Sequence, residues 1–292
     1  MNNTIILVSV GCFQEYIIDN IKQLLLLDLN VHVITNEKFF NKLDMFGNNI
    51  KKINSDVLVL NKYFDNNSKL DKSWRDGFWH NTSKRFFLIY EYIKINNITN
   101  VFHIENDVLL YSKLNYKFDN KLYLVMDSKD RCIPSIIYIP SHVFLKSLIK
   151  NYKFNLDDMK NLAYFYNNNK NIIKTFPIIN DTTNMGIYSE NYNEFKSIFD
   201  GCAIGQYLGG IDPRNKSGDT SGFINECTGG EKNNPKITFD KYIFKWLKKD
   251  KYYFPYIIID NNYILINNLH IHCKNLKQFM MDNPCENNYI TK

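Results

Sequence analysis

Apolar residues along this chain come in two rhythms: short unbroken runs, and longer stretches with one apolar face. Ile5 to Val10 is an apolar run broken only by Ser9 and closed by Gly11, the pattern of a buried strand. Ile17, Ile21, Leu24 and Leu25 then recur at helical spacing. A second run, Val31 to Ile34, ends at Thr35-Asn36. Strand, helix and strand in such close succession predict the opening of a parallel βαβ unit. Val57 to Leu60 reads as a third strand. Residues 64–81 are polar and turn-rich, and include Trp74, Trp79 and His80. A helix is expected from Asn81 or Thr82, both good N-caps. It carries Arg85 near its start, then Phe86, Ile89, Tyr90 and Ile93, and ends at Asn96-Asn97. Val101 to Ile104 is the next strand.

Further along, strands are expected at Leu122–Met126 and Ile136–Ile139. Ser141 can cap a short helix bearing Phe144, Leu145 and Leu148. Another helix begins at Asn155 and buries Leu156, Met159, Leu162 and Tyr166. Asp157 and Asp158 fall in its first turn, where acidic side chains favour the free N–H groups and the helix dipole. Residues 191–200 read as a short helix, 211–235 as a long polar loop, 240–249 as a helix carrying Ile243, Trp246 and Leu247, and Tyr263–His272 as the last strand. This order predicts an α/β fold: a mixed central sheet flanked by helices, in one domain over residues 1–275 with a C-terminal elaboration, and a tail at 276–292. In such sheets ligands lie beyond the carboxyl ends of the strands, which points to Gly11, Thr35 and Asn36. No GxGxxG follows the first strand, so a standard dinucleotide fingerprint is excluded.

Composition narrows the class. The 292 residues allow a large core, and 45% hydrophobic with 23% charged residues is ordinary for a globular chain. The net charge of +6 is spread out, densest at Lys245–Lys251 where Asp250 interrupts it, so a dedicated nucleic-acid partner is not expected. The excess fits a small anionic ligand instead. Six scattered cysteines without a CxxC pair argue against a zinc module or a disulfide framework, and make reduced thiols in the cytoplasm the expectation. The apolar N-terminal run lacks a basic flank and is too short for a signal peptide, and no run is long enough to span a membrane.

The candidate chemistry centres on His103-Ile104-Glu105-Asn106-Asp107-Val108, where an apolar strand runs straight into two carboxylates. By spacing alone this is either a polar turn between strands or a site for a divalent cation that holds phosphate oxygens. The last strand supplies complementary groups. With period-two alternation Asn268, His270, His272 and Lys274 share a face. Imidazole suits a transition metal such as Mn²⁺, and a lysine suits a phosphate.

With these residues the chain resembles nucleotide-sugar-dependent glycosyltransferases of the GT-A fold. Glu105-Asn106-Asp107 stands where that family has its Asp-x-Asp triplet, and His270-Ile271-His272-Cys273-Lys274 offers the C-terminal histidine. Phe199-Asp200-Gly201, followed by Gly205 and Gln206, is loosely similar to the acceptor-side segment of glycogenin-like transferases. The pattern is similar to sugar transferases of large DNA viruses and bacteria. The resemblance implies a nucleotide-sugar half at 1–111 and an acceptor half at 112–275. It implies Mn²⁺ or Mg²⁺ held directly by Asp107 and by His272 or His270, with His272 favoured, while Glu105 would contact the metal through water, or the ribose hydroxyls. Lys274 would meet the diphosphate. Gly11, Thr35, Asn36, Arg85 and Asn106 would lie near the nucleotide. Asp200, then Glu226 and Asp158, are the implied proton acceptors, and Gln206 would orient a sugar. The partners implied are a nucleoside-diphosphate sugar and a glycan or protein acceptor. Two rival readings remain. A nucleotidyltransferase would share the acidic ligands but would carry a Gly-rich basic loop where Ser9-Val10-Gly11-Cys12-Phe13 stands. A non-catalytic nucleotide- or glycan-binding module would not need Glu105, Asp107 and a histidine together.

Overall fold

Strand β1 (Thr4–Ser9) sits at the heart of the sheet because both of its faces are apolar. Ile5 and Leu7 belong to one core cluster, and Ile6 and Val8 to the other. The structure, a computed structural model, describes residues 3–180, 186–210, 212–214 and 242–282. Helix α1 (Ile17–Leu26) lays Ile17, Ile21 and Leu24 on the first face of the sheet. Strand β2 (Asn30–Thr35) then pairs parallel to β1, with Ile5 opposite Val31. These are the elements that the apolar runs predict.

The third strand is displaced from its expected position. Strand β3 (Ile50–Asn54) forms the sheet edge, with Lys51 and Lys52 on it, and pairs with β2. Residues 57–60 are instead the end of a 3-10 turn (Ser55–Val57), the Leu58 cap and the first residues of helix α2 (Val59–Asn67). Helix is chosen there because Glu91, distant in sequence, accepts the backbone N–H groups of Val59 and Leu60 at 2.8 and 2.6 Å, capping the helix from outside. Helix α3 (Phe78–Ile95) begins a few residues before the expected cap and carries Glu91, Arg85 and the apolar Phe86–Ile89 stretch that covers the second face.

Strand β4 (Val101–Ile104) pairs parallel to β1 and delivers Glu105 to the carboxyl edge of the sheet. After β5 (Val108–Leu110), strands β6 (Leu122–Ser128) and β7 (Arg131–Ile139) form a hairpin, longer than expected, whose β7 lies antiparallel beside β4. Helices α4 (His142–Lys150) and α5 (Asp158–Asn168) follow, the latter capped by Asp157, whose side chain accepts the Lys160 N–H at 2.9 Å. Strand β8 (Ile173–Thr175) completes the main sheet, in the order β3-β2-β1-β4-β7-β6-β8. The fold is therefore mixed α/β, a seven-stranded, largely parallel sheet flanked by helices.

The C-terminal third departs most from the expected elements. The helix expected over 191–200 is only α6 (Tyr192–Phe195); the chain then bends, and Ile198 bridges to Ile266. Helix α7 (Ala203–Gly209) follows. The helix expected over 240–249 is strand β9 (Ile243–Lys249) instead. Ile243, Trp246 and Leu247 fit a helical spacing, but burial follows the alternation of Phe244 and Trp246. Strand β10 (Tyr252–Ile259) folds back on β9 through Asp250, which takes a left-handed conformation, and β11 (Asn262–Leu265) completes a three-stranded meander. The single strand expected over 263–272 is thus two: β11, and β12 (Asn268–His270), which leaves the meander to pair antiparallel with β5. Asn267 marks the change of partner; its buried side chain bonds Ser197 Oγ at 2.7 Å. Residues 276–281, grouped with the tail by sequence, are packed: Leu276 and Phe279 are buried, and the Phe279 carbonyl accepts from Tyr111 Oη at 2.6 Å. No helix among the described residues is long and apolar enough to cross a membrane.

Candidate functional site

The small β5–β12 sheet brings the two ends of the sequence pattern together. Val108 pairs with His270, and the Ile271 N–H bonds the Asp107 carbonyl at 2.8 Å. This register fixes the last histidine segment against the acidic triplet. One ligand atom from each of Glu105, Asp107 and His270 lies within 4.8 Å of the others. His270 Nε2 is 3.3 Å from Asp107 Oδ2 and 3.7 Å from Glu105 Oε2. Its Nδ1 is 2.5 Å from the Gly201 carbonyl, so Nδ1–H donates there and Nε2 is the atom presented to the carboxylates.

His272, the histidine favoured by sequence, is not in this trio. It packs on His270 with ring centroids 4.4 Å apart, and its Nε2 is buried without a hydrogen-bond partner. Lys274 pairs its ammonium with Asp107. It does so from a left-handed backbone conformation (φ 62°), which costs a non-glycine residue about 1–2 kcal/mol.

The charges are strongly interdependent. Burial would raise the Asp107 carboxyl, but Lys274 and His270 outweigh it and hold it well below the usual carboxylate range. Burial would lower His270, but Asp107 and Glu105 overcome this and push it up to about 9. His272 goes the other way: burial, then His270 and Lys274, depress it well below its ordinary value. Burial pushes the Tyr16 hydroxyl up, and Asp107 adds to it.

Arg85 is the second organising residue. It is buried, donating from Nη1 to Glu105 at 2.8 Å and from Nη2 to Asp158. Asp158 is 1% exposed; burial raises its carboxyl while Arg85 opposes the rise. Asn106 donates to the Val8 carbonyl at 2.8 Å and to Gln14, and so stitches the triplet to the end of β1.

All of these groups face one cleft, whose walls also include Ser9, Cys12, Tyr16, Trp74, Arg75, Trp79, Arg131, Asp212 and Arg214. Sequence reading assigned none of these a role. The available signal was two tryptophans, Trp74 and Trp79, in a polar stretch just before the Arg85 helix. Their rings stack at 5.9 Å and 3°. Arg75, Asp76 and Gly77 are successively left-handed, and Arg75 pairs with Asp212 across the cleft wall.

Five expected residues do not line the cleft. Thr35 Oγ1 donates to the Ser9 carbonyl at 2.6 Å, and Asn36 Oδ1 accepts the Gly11 N–H at 2.9 Å; both hold the strand ends. Gly11 itself is left-handed (φ 81°), and a Cβ there would fall 2.4 Å from the Asn81 amide. Gln206 is buried within α7. Asp200 also stands apart. Its carboxylate accepts the N–H groups of Ile204, Gly205 and His270 at 2.8–3.0 Å, and its carbonyl accepts from Asn268. Burial raises its carboxyl against those bonds. Through its bond from the His270 N–H it seats the His270 backbone, away from the cleft lining. Glu226 lies outside the described residues.

The trio fits a divalent cation. Two carboxylates and an imidazole are a suitable donor set for Mn²⁺, and a 4.8 Å spread is only slightly wider than the roughly 4.2 Å between opposite ligands of such an ion at about 2.1 Å each.

No family model matches the sequence, and no curated protein matches it. Among solved structures the chain is similar to PaToxG glycosyltransferase, at 12% identity and TM-score 0.41, over 58% of this chain and 70% of that one. It is similar to mouse xyloside xylosyltransferase 1 in its apo form, at 10% identity and TM-score 0.39, over 61% and 85%. It is also similar to the glycosyltransferase GlyE of Streptococcus pneumoniae TIGR4, at 8% identity and TM-score 0.38, over 63% of this chain and 46% of that one.

Proposed function

We propose that this chain transfers a glycosyl group from a nucleoside-diphosphate sugar to a hydroxyl acceptor, as a metal-dependent transferase of the GT-A kind. The observation that carries the reading is the Glu105–Asp107–His270 trio, closed by Lys274, at the carboxyl edge of a parallel sheet. Bound Mn²⁺ or Mg²⁺ supplies positive charge to the diphosphate leaving group. The chain's own residues do the rest. Asp107 is the principal anchor, held ionised by its neighbours. His270 presents Nε2 because Gly201 fixes its other nitrogen. Lys274 is placed to receive a phosphate oxygen and to stabilise the charge that develops as the bond to the sugar breaks. Glu105, tied to Arg85, is held for either the cation or a ribose hydroxyl. Ser9 at the end of β1, with Cys12 and Tyr16 in the segment leading to α1, forms the wall for the nucleoside.

Donor hydrolysis tests the reading. With Mn²⁺ present, incubation with UDP- and GDP-sugars should release nucleoside diphosphate from at least one donor, and chelation should stop it. Release of nucleoside monophosphate and sugar phosphate would instead place the chemistry at the phosphoryl bond and overturn the assignment.

A further inference from the structure

Buried polar atoms without a hydrogen-bond partner recur among the cleft residues: Ser9 Oγ and Asn106 Oδ1 near the end of β1, and three more on His272, Asp158 and Arg85. His272 is 9% exposed, and its Nε2 is unbonded. Asp158 Oδ2 accepts from Arg85, but its Oδ1 is unbonded. Arg85 uses both terminal nitrogens, while its Nε is unbonded. A buried polar group without a partner costs about 1–3 kcal/mol. Such atoms around one cleft therefore call for a partner from outside the chain.

The mixture of donors and acceptors identifies its chemistry. Arg85 Nε only donates, the Asp158 carboxylate accepts, and an imidazole nitrogen does one or the other according to tautomer. A phosphate would satisfy the arginine and be repelled by Asp158. A hydroxyl group both donates and accepts, and a sugar ring offers several at fixed angles. We propose that His272 and Asp158 hydrogen-bond hydroxyl groups of the transferred sugar, so that this part of the cleft is the sugar subsite and His272 helps decide which sugar is accepted. The inference rests on the nucleotide-sugar reading above. It deepens that reading by giving His272 a role in specificity rather than in metal binding.

Calorimetry with Mg²⁺ separates the two claims. UDP, GDP, UDP-glucose, UDP-galactose, UDP-N-acetylglucosamine and GDP-mannose are titrated into the wild type and His272→Phe, which keeps a ring against His270. The expected result is that one sugar donor loses about tenfold in affinity in the variant while its parent diphosphate does not. On the wild-type protein, deoxy analogues of that donor provide a second measurement that needs no variant to fold. One should bind about tenfold more weakly than the parent donor. Equal losses for donor and diphosphate in His272→Phe, or no affected deoxy analogue, would overturn the sugar subsite while leaving the transferase reading standing. If the wild type binds none of the six, the transferase reading fails and the inference fails with it.

Discussion

At the scale of single residues, the site is governed by pairs whose members cannot be removed alone. Arg85 lies between Glu105 and Asp158, and all three are substantially buried. Arg85→Met would leave two carboxylates facing each other without a cation. Breaking a buried pair in this way costs about 3–5 kcal/mol, so chemical denaturation should show a loss of that order. The His270 imidazole gives a second prediction. Its folded pKa, pushed to about 9, lies above the 6.5 of an unperturbed histidine. The folded state therefore binds the proton more tightly than the unfolded one. That stabilisation is complete below about pH 6.5 and is lost as pH rises through 9. Thermal melts of the ligand-free protein should show stability falling over this window, and His270→Asn should flatten the fall. Because Nε2 must give up its proton to ligate a cation, Mn²⁺ affinity should rise with pH over the same range.

At the scale of elements, the geometry depends on how closely α7 rests on β12. A Cβ on Gly205 would stand 2.0 Å from the His270 carbonyl oxygen, a distance that requires the helix or the strand to move. Gly205→Ala should destabilise the protein by about 1–3 kcal/mol. It should also weaken metal binding more than a remote substitution of equal stability cost, a difference that paired melting and metal titration would show. The elements also mark where sequence reading succeeds and where it stops. The acidic triplet was legible because an apolar strand ran directly into it, and the expected alternation drew attention to His270 and Lys274, although β12 ends at His270 and Lys274 reaches Asp107 from a turn. Three features were not legible. Helix α2 depends on a cap from Glu91, a partner far along the chain. Strand β9 carries apolar residues compatible with both periods, and only its pairing with β10 decides between them. The choice of His270 over His272 was equally hidden, since it turns on the Asp200 and Gly201 contacts that seat β12. Asp200 carried the signature of a reactive carboxylate while serving as an acceptor for backbone N–H groups.

At the scale of the whole molecule, β1, β4, the β5–β12 pair and the helix bearing Arg85 all converge on one cleft. A ligand that joins them should stabilise the fold as a unit. At about one hundred times its Kd, a metal–nucleotide pair contributes about 2.7 kcal/mol, or roughly 5 °C in Tm for a chain of this size. The central claim is that Asp107 anchors a cation that in turn holds a nucleoside diphosphate. Its most direct test is calorimetric titration of UDP and GDP into wild type and Asp107→Asn, with and without Mn²⁺. The account predicts that at least one diphosphate binds the wild type far more tightly with Mn²⁺ than without, and that Asp107→Asn removes that metal-dependent gain. Nucleotide affinity in Mn²⁺ that is the same in both proteins would contradict it.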